Sequence, residues 1–247
     1  MSVDRAQALT DRLSTAERDR THGPVPIRDA ASLIILDAEG GTVLMGRRSQ
    51  KHVFMPGRFV FPGGRVDPTD SRVPVAADFC ATTAQKLSAE TGRRTGSARV
   101  KAFGVAALRE AYEETGVLIG RRAEAVPTAA LFRAFADHGL ALDLSLLTFV
   151  ARAITPPGRP RRYDTRFFVV QKSAVVARDE TVTGPDAELE EVAWVPIEEA
   201  RALPLPTITL TVLDELTDRL EQGQGFDPAG PVPFYRWQRS AFVRTVL

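Results

Sequence analysis

Three glutamates in the middle of the chain have a spacing that could support chemistry. Glu110, Glu113 and Glu114 stand at positions i, i+3 and i+4, and in a helix that spacing places all three carboxylates on one face. Like charges so placed weaken a helix by roughly a few tenths of a kcal/mol per pair. Either solvent and Arg109 screen them, or they hold a hard divalent cation such as Mg²⁺ or Mn²⁺, which prefers oxygen ligands.

The segment that carries the glutamates is predicted to be a helix over residues 105–115. Val105, Leu108 and Tyr112 recur at i, i+3 and i+7 and form an apolar stripe, and Gly116 follows as a helix stop. The helix therefore has one face for the core and another for the carboxylates.

A glycine-rich segment upstream is the second candidate for chemistry. The extended run 59–61 leads into Pro62-Gly63-Gly64. We expect a sharp loop there, because a proline and two glycines do not sustain a strand ladder. Glycine permits a tight backbone whose carbonyl can face a metal ion.

These residues carry a resemblance to a known family. Residues 109–117, REAYEETGV, together with Gly64, resemble the Nudix hydrolase signature G-x5-E-x7-R-E-U-x-E-E-x-G-U, where U is bulky and aliphatic. Two departures stand out: Asp70 replaces the first glutamate, and 38 residues separate it from Arg109 instead of seven. With this interruption and the downstream segments 155–157, 161–168 and 204–207, the chain resembles the branch that contains a peroxisomal coenzyme A diphosphatase. We interpret Asp70 as a loop or capping residue.

The resemblance implies roles for individual residues. Glu110, Glu113, Glu114 and the Gly64 carbonyl would bind Mg²⁺ or Mn²⁺. Arg109 would orient the site through ion pairs within the signature, or would form only a surface ion pair of little energetic weight.

The general base is open between Glu110 and the acidic segment 186–191. Within that segment we favour Glu188, as a base or a supplementary metal ligand, because it lies just before the predicted strand 192–195. The alternative is a plain solvated acidic loop.

Arginines are the candidates for binding the substrate, since a forked guanidinium suits phosphate oxygens. Each of them could instead be an ordinary surface charge. Phe61, Phe167 and Phe168 are interpreted as core residues rather than residues that stack on a nucleobase. The preferred arginines are Arg48, Arg58, Arg161 and Arg162, and Arg47 and Arg166 are further candidates.

Composition excludes several other classes of protein. The 247 residues include 32 basic and 31 acidic side chains, so the charge indicates no nucleic-acid partner. The most apolar stretch, 140–154, contains Asp143 and Arg152 and is too short to span a membrane. A single cysteine, Cys80, and an N-terminus without an apolar signal segment fit a cytoplasmic protein.

The order of elements predicts an α/β (α+β) fold around one mixed sheet, and the resemblance implies a Nudix α/β/α sandwich. We expect a polar N-terminal tail or short helix over 1–24, one domain over 25–230 and a C-terminal extension over 231–247. A part-helical insertion at about 68–104 interrupts the signature. The apolar extension could dock on its own domain or on a second copy, so a homodimer stays open. The predicted elements are a hairpin of 32–37 with 42–47, strands at 145–154, 166–171 and 192–195, and helices at 127–138, 197–203 and 207–222.

Three functional hypotheses follow. The first is a metal-dependent pyrophosphohydrolase that cleaves a nucleoside diphosphate linked to another moiety, with coenzyme A or acyl-CoA as the leading substrate. The products would be 3',5'-ADP and a 4'-phosphopantetheine. The second keeps the chemistry but acts on ADP-ribose, a dinucleotide or a nucleotide sugar. The third is a catalytically silent sensor that binds a nucleotide, against which the intact glutamates argue.

Overall fold

The computed structural model describes residues 3–15, 22–50, 56–91, 96–123, 132–183 and 187–247. No helix in these ranges has the length and apolar character needed to cross a bilayer. The helices are α1 (Val3–Thr15), α2 (Ala81–Ser88), α3 (Ser97–Thr115), α4 (Arg133–Asp137), α5 (Ile197–Ala200) and α6 (Thr207–Glu221). The strands are β1 (Ile27–Asp37), β2 (Thr42–Arg48), β3 (Phe59–Val60), β4 (Gly63–Arg65), β5 (Val117–Ile119), β6 (Arg121–Arg122), β7 (Leu140–Ala141), β8 (Thr148–Ile154), β9 (Arg162–Gln171), β10 (Val175–Arg178), β11 (Leu189–Pro196), β12 (Pro233–Gln238) and β13 (Ala241–Val246).

One mixed sheet organises the molecule. Its strands follow the order β11-β2-β1-β9-β8-β12-β13, with β3 paired to β2 and β4 paired to β1. The central pair, β1 and β9, is parallel over ten residues, from Ile27 opposite Arg162 to Leu36 opposite Gln171. The predicted hairpin of β1 and β2 is confirmed.

Both faces of the sheet are covered, as the alternation of side chains along β1 shows. Leu33 and Ile35 belong to the apolar core that contains α3. Ile34 and Leu36 belong to the opposite core, which contains α6. Because successive strand residues point to opposite faces, a strand of continuous apolar residues here serves two cores. The expected α/β/α sandwich is confirmed.

The helix that carries the glutamates is longer than predicted. It begins at Ser97 rather than at 105, because Val100 and Phe103 are buried and extend its apolar stripe toward the N-terminus. The predicted insertion therefore contributes two helical turns to α3. The helix ends as expected at Gly116, whose φ of 72° is left-handed.

The expectation of a sharp loop at Gly63 and Gly64 is wrong. Both residues belong to β4, where Gly64 pairs with Ala31 and Gly63 with Ser32. The missing side chains are what allow this pairing. A Cβ on Gly63 would lie 2.5 Å from the Ala31 carbonyl oxygen, and a Cβ on Gly64 would lie 2.4 Å from the Glu110 carboxylate.

The two ends of the chain pack on the domain and on each other. Helix α1 pairs with α6 through Arg5 to Asp218 at 2.7 Å and Arg12 to Asp214 at 2.8 Å. Residues 231–247 form the β12–β13 hairpin, which extends the sheet beyond β8. The Phe242 amide donates to Ser14 Oγ at 2.9 Å. The C-terminal segment is thus docked on its own domain.

Several predicted boundaries move. Strand β9 begins four residues earlier than predicted, and β8 begins three residues later because residues 144–146 form a 3₁₀ turn. Of the predicted helix 127–138, the structure has Arg133–Asp137, and 127–131 lie outside the described residues. Helix α5 ends at Ala200, and α6 matches its predicted span closely.

Candidate active site

A cavity of about 910 Å³ lies along the α6 face of the sheet. One end is formed by Gly63 and Gly64 of β4, Glu110 of α3 and Glu188 just before β11. Along β9 the lining residues alternate, since Tyr163, Thr165 and Phe167 face the cavity and their neighbours do not. The N-terminus of α6 closes the opposite wall.

Glu114 is buried at this end, behind the cavity wall. Its side chain is almost inaccessible, and Oε2 accepts a hydrogen bond from the Gly63 amide at 2.8 Å. Burial raises the pKa of Glu114 well above its usual value, and the charges of Glu188 and Glu110 raise it further. The single amide and the nearby Arg48 do not offset these effects. Glu114 is therefore a carboxylate without a full countercharge.

Glu110 lies directly against β4 and lines the cavity. Its carboxylate fills the space that a side chain at Gly64 would need. Burial raises the pKa of Glu110, and the charges of Glu113 and Glu188 add to this, while Arg109 acts in the opposite direction. The Arg109 Nη1 donates to Glu110 Oε1 at 2.7 Å.

Arg109 is the centre of a buried network. Its Nε and Nη2 donate to the two carboxylate oxygens of Asp70, each at 3.0 Å, and Nη2 also donates to the Arg65 carbonyl oxygen at 2.9 Å. Burial alone would lower the pKa of Arg109, but Asp70 and Glu110 outweigh it and the pKa is raised. Since Arg109 is only 6% exposed, the alternative of a surface ion pair is wrong.

Asp70 does more than the sequence predicted. It begins a 3₁₀ turn, Asp70–Arg72, and accepts from the Asp67 amide at 2.7 Å, which agrees with a loop or capping role. Its side chain, however, is fully buried against Arg109. The signal that could have revealed this is its place six residues after Gly64, where the signature has an acid.

Glu113 separates from the other two glutamates. Its Oε2 accepts from Arg109 Nη1 at 2.8 Å, its side chain is 35% exposed, and it is not among the residues that line the cavity. The predicted single face of three carboxylates is therefore divided. Glu110 faces the cavity, Glu114 lies behind β4, and Glu113 faces Arg109.

Glu188 is brought to the same end by the pairing of β11 with β2. Leu189 lies opposite Arg48, and the Ser49 amide donates to the Glu188 carbonyl oxygen at 3.1 Å. Arg48 Nη2 donates to Glu188 Oε1 at 2.5 Å. Asp186, in the same acidic segment, lies outside the described residues.

The candidate arginines have different environments. Arg48, Arg58 and Arg161 line the cavity. Arg162 does not, because its Nε is turned away and donates to the Thr155 carbonyl oxygen at 3.0 Å. Arg159 lines the cavity but was not among the candidate arginines.

The remaining candidates have structural partners. Arg47 Nε donates to Glu191 Oε2 at 3.0 Å, and Arg166 is buried beside Asp29 and Asp164. The three phenylalanines interpreted as core residues are all buried, Phe168 in the α3 core and the other two in the α6 core. The latter two, Phe61 and Phe167, also line the cavity.

The donor atoms at the Glu110 end suit a hard divalent cation, but the side chains are not assembled around one. Within the described ranges, no three His, Cys, Asp or Glu side chains form a ready metal-binding group. Burial raises the pKa values of Glu110 and Glu114, and repulsion from neighbouring carboxylates, Glu188 among them, raises both further. A cation bound to their oxygens would relieve this repulsion. The three-layer fold, the segment 109–117 and this carboxylate end define the class: a Nudix-type α/β/α domain.

Comparisons with known proteins agree with this class. The chain is 29% identical over 220 residues to a Caenorhabditis elegans protein named nudix hydrolase 7, covering 77% of this chain and 62% of that relative. It is similar to the crystal structure of a NUDIX hydrolase from Alicyclobacillus acidocaldarius, with a TM-score of 0.58 and 29% identity over 78% of this chain and 91% of that one. No family model matches the chain. The chain is thus similar to Nudix hydrolases over most of its length, and it spans less than two thirds of its nematode relative.

Proposed function

We propose that this protein is a divalent-metal-dependent pyrophosphohydrolase that cleaves a nucleoside diphosphate linked to another moiety. One observation carries the proposal. Glu110, Glu114 and Glu188 gather at one end of a large cavity, and while Arg109 pairs with Glu110 and Arg48 with Glu188, Glu114 is buried with only the Gly63 amide as its donor. A buried carboxylate without a countercharge is unfavourable for folding, so the environment of Glu114 points to a cationic ligand.

The residues that would hold Mg²⁺ or Mn²⁺ are Glu110, Glu114, Glu188 and the Gly64 carbonyl. The family signature also implies Glu110, Glu114 and Gly64, but it includes Glu113 and not Glu188. Bound there, such an ion would neutralise charge on the diphosphate and would lower the pKa of a coordinated water. The Arg109 network fixes the turn of α3 from which Glu110 and Glu114 extend. Glu113 contributes to the site through Arg109.

Two charged side chains at the cavity are suited to the diphosphate itself. Arg48 and Arg58 line the cavity on the β2 and β3 side, and a guanidinium can donate two parallel hydrogen bonds to phosphate oxygens. Arg48 also holds Glu188 at 2.5 Å, which positions that carboxylate as a general base or as a further metal ligand. Losing a true general base lowers the rate roughly 10²- to 10⁴-fold.

Coenzyme A or acyl-CoA is the leading substrate. A cavity of about 910 Å³ is at the upper end of the roughly 300–1,000 Å³ typical of small-molecule sites, which suits a large nucleotide conjugate. The interrupted signature resembles that of a coenzyme A diphosphatase branch. ADP-ribose, a dinucleotide or a nucleotide sugar would use the same chemistry.

The test is a direct assay of the purified full chain. It is incubated with Mg²⁺ or Mn²⁺ and a panel of coenzyme A, acyl-CoA, ADP-ribose and nucleotide sugars, and products are identified by mass. We expect release of 3',5'-ADP from coenzyme A, none after chelation of the metal, and loss of turnover in Glu114→Gln. Glu39→Gln, on an exposed turn, is the matched control. Binding without turnover of any diphosphate would favour the sensor hypothesis and reject the enzyme.

A further inference from the structure

The cavity has a second cationic end that the proposed chemistry does not use. Arg159 and Arg161, in the loop between β8 and β9, line the cavity together with Thr155 and Pro156. Arg161 is exposed and forms no ion pair with the described residues. Two arginines on one short loop place a concentrated positive charge at this end.

Hydrogen bonds hold the backbone at the base of this loop. At its base, the Thr155 amide donates to the Tyr163 carbonyl oxygen at 2.9 Å, and the Tyr163 amide donates to Thr155 Oγ1 at 3.1 Å. Arg162 caps the Thr155 carbonyl oxygen from the side away from the cavity. Because side chains alternate along an extended strand, Arg161 then shares the cavity face with Tyr163. Prolines 156, 157 and 160 further restrict the loop.

The two charged ends are well separated along the sheet. Gly64 lies opposite Ala31, and Ala31 lies opposite Arg166 in β9. Arg161 precedes Arg166 by five residues, which corresponds to roughly 16 Å along a parallel strand. Between the two ends the cavity wall is mostly uncharged, with Thr165 and Phe167 facing it.

We propose that Arg159 and Arg161 bind a second phosphate group of the substrate, on a part of the molecule remote from the diphosphate. This inference rests on the proposed function and narrows its substrate class to nucleoside diphosphate conjugates that carry an additional phosphate. A site built to pair with a charged group discriminates strongly against an analogue that lacks it, because its own polar groups are then left without partners.

The experiment uses pairs of substrates that differ only by that phosphate. These are coenzyme A with 3'-dephospho-coenzyme A, and NADPH with NADH. The full chain is assayed with Mg²⁺ as wild type, Arg161→Gln, and the double variant Arg159→Gln/Arg161→Gln. Arg122→Gln is the charge-matched control, since Arg122 is exposed on β6 and does not line the cavity.

We expect wild type to prefer the phosphorylated member of the pair it cleaves by roughly 10-fold or more in kcat/KM, as charge-assisted hydrogen bonds allow. In the double variant the ratio should fall close to one, through a higher KM for the phosphorylated member and an unchanged rate for the other. A wild-type ratio near one, or an equal loss for both members, overturns the second phosphate site while the hydrolase stands. Failure to cleave any diphosphate rejects the proposed function instead.

Discussion

The two sides of the last turns of α3 handle buried charge in opposite ways. On one side, Arg109 is surrounded by Asp70, Glu113 and the Arg65 carbonyl, and its donors are paired. On the other side, Glu114 has one amide donor and two carboxylate neighbours. The Arg109 network holds the end of α3 in a fixed position against the 3₁₀ turn and β4. The Glu114 side retains unbalanced negative charge, which is expected where a cationic ligand binds.

Substitutions on the two sides of α3 should also have different effects on stability. Removing one partner of a buried ion pair leaves the other charge uncompensated, which destabilises a protein by about 3–5 kcal/mol. Neutralising a carboxylate that is already unfavourable in the fold does not have that penalty. Stability and activity should therefore respond in opposite directions to substitutions on the two sides.

The largest effect is expected from the paired side. Asp70→Ala would leave Arg109 buried with only Glu110 and the partly exposed Glu113 as acidic partners, and we expect a loss of about 3–5 kcal/mol in the free energy of unfolding. Chemical denaturation followed by circular dichroism measures this. Asp70→Asn, which keeps the shape and one acceptor, should lose less. A loss below about 1 kcal/mol in Asp70→Ala would show that the network does not stabilise the fold.

On the Glu114 side of α3, a substitution should lower activity without lowering stability. Glu114→Gln keeps the acceptor for the Gly63 amide but removes a charge that burial disfavours, so we expect an equal or greater free energy of unfolding without metal. Activity should fall by roughly 10²-fold or more, because even outer partners of metal ligands contribute 10- to 100-fold. Chemical denaturation without metal tests the prediction on stability, and steady-state rates with Mg²⁺ test the prediction on activity. A clear loss of stability in Glu114→Gln would contradict the interpretation that the Glu114 charge is unbalanced in the fold.

The pH dependence of stability sharpens this contrast. The folded pKa of Glu114 is raised above the reference value of 4.5, so the folded state binds its proton more tightly than the unfolded state does. The unfavourable contribution of Glu114 is thus absent below the unfolded pKa, grows as pH rises from the unfolded to the folded pKa, and is complete above the folded pKa. The stability gain of Glu114→Gln without metal should be larger at pH 8 than at pH 5. A stability gain that does not depend on pH would show that it does not arise from the charge of Glu114.

The sequence predicted the elements of this site better than their contacts. The α3 stripe and the β1–β2 hairpin depend on local periodicity and turn residues, which a sequence displays directly. The Asp70–Arg109 pair spans 39 residues, and an insertion hides its spacing. The strand at Gly63 and Gly64 was missed because glycine favours strands poorly by itself. Its pairing depends on Ser32 and Glu110, which only the folded chain brings close.

The roles of the cavity arginines also depend on contacts that the sequence does not display. Arg161 and Arg162 are adjacent and chemically identical, and composition could not separate them. The pairing of β9 with its neighbours turns one toward the cavity and the other toward Thr155. Arg159 gains its place from the same loop. The direction in which a side chain points from a strand depends on tertiary structure. Sequence patterns therefore identify candidate arginines but do not show which of them face the cavity.

The smallest effect is expected for Glu113, and it tests whether the three glutamates are equivalent. Glu113 is partly exposed, and Arg109 keeps Asp70 and Glu110 when Glu113 is neutralised. Glu113→Gln should therefore lower the free energy of unfolding by less than about 1 kcal/mol, as for other partly exposed ion pairs. Its kcat/KM should fall less than that of Glu114→Gln when both are measured with the same Mg²⁺ and substrate. Equal losses in the two variants would mean that Glu113 also binds the metal, and would contradict the division of the three glutamates described above.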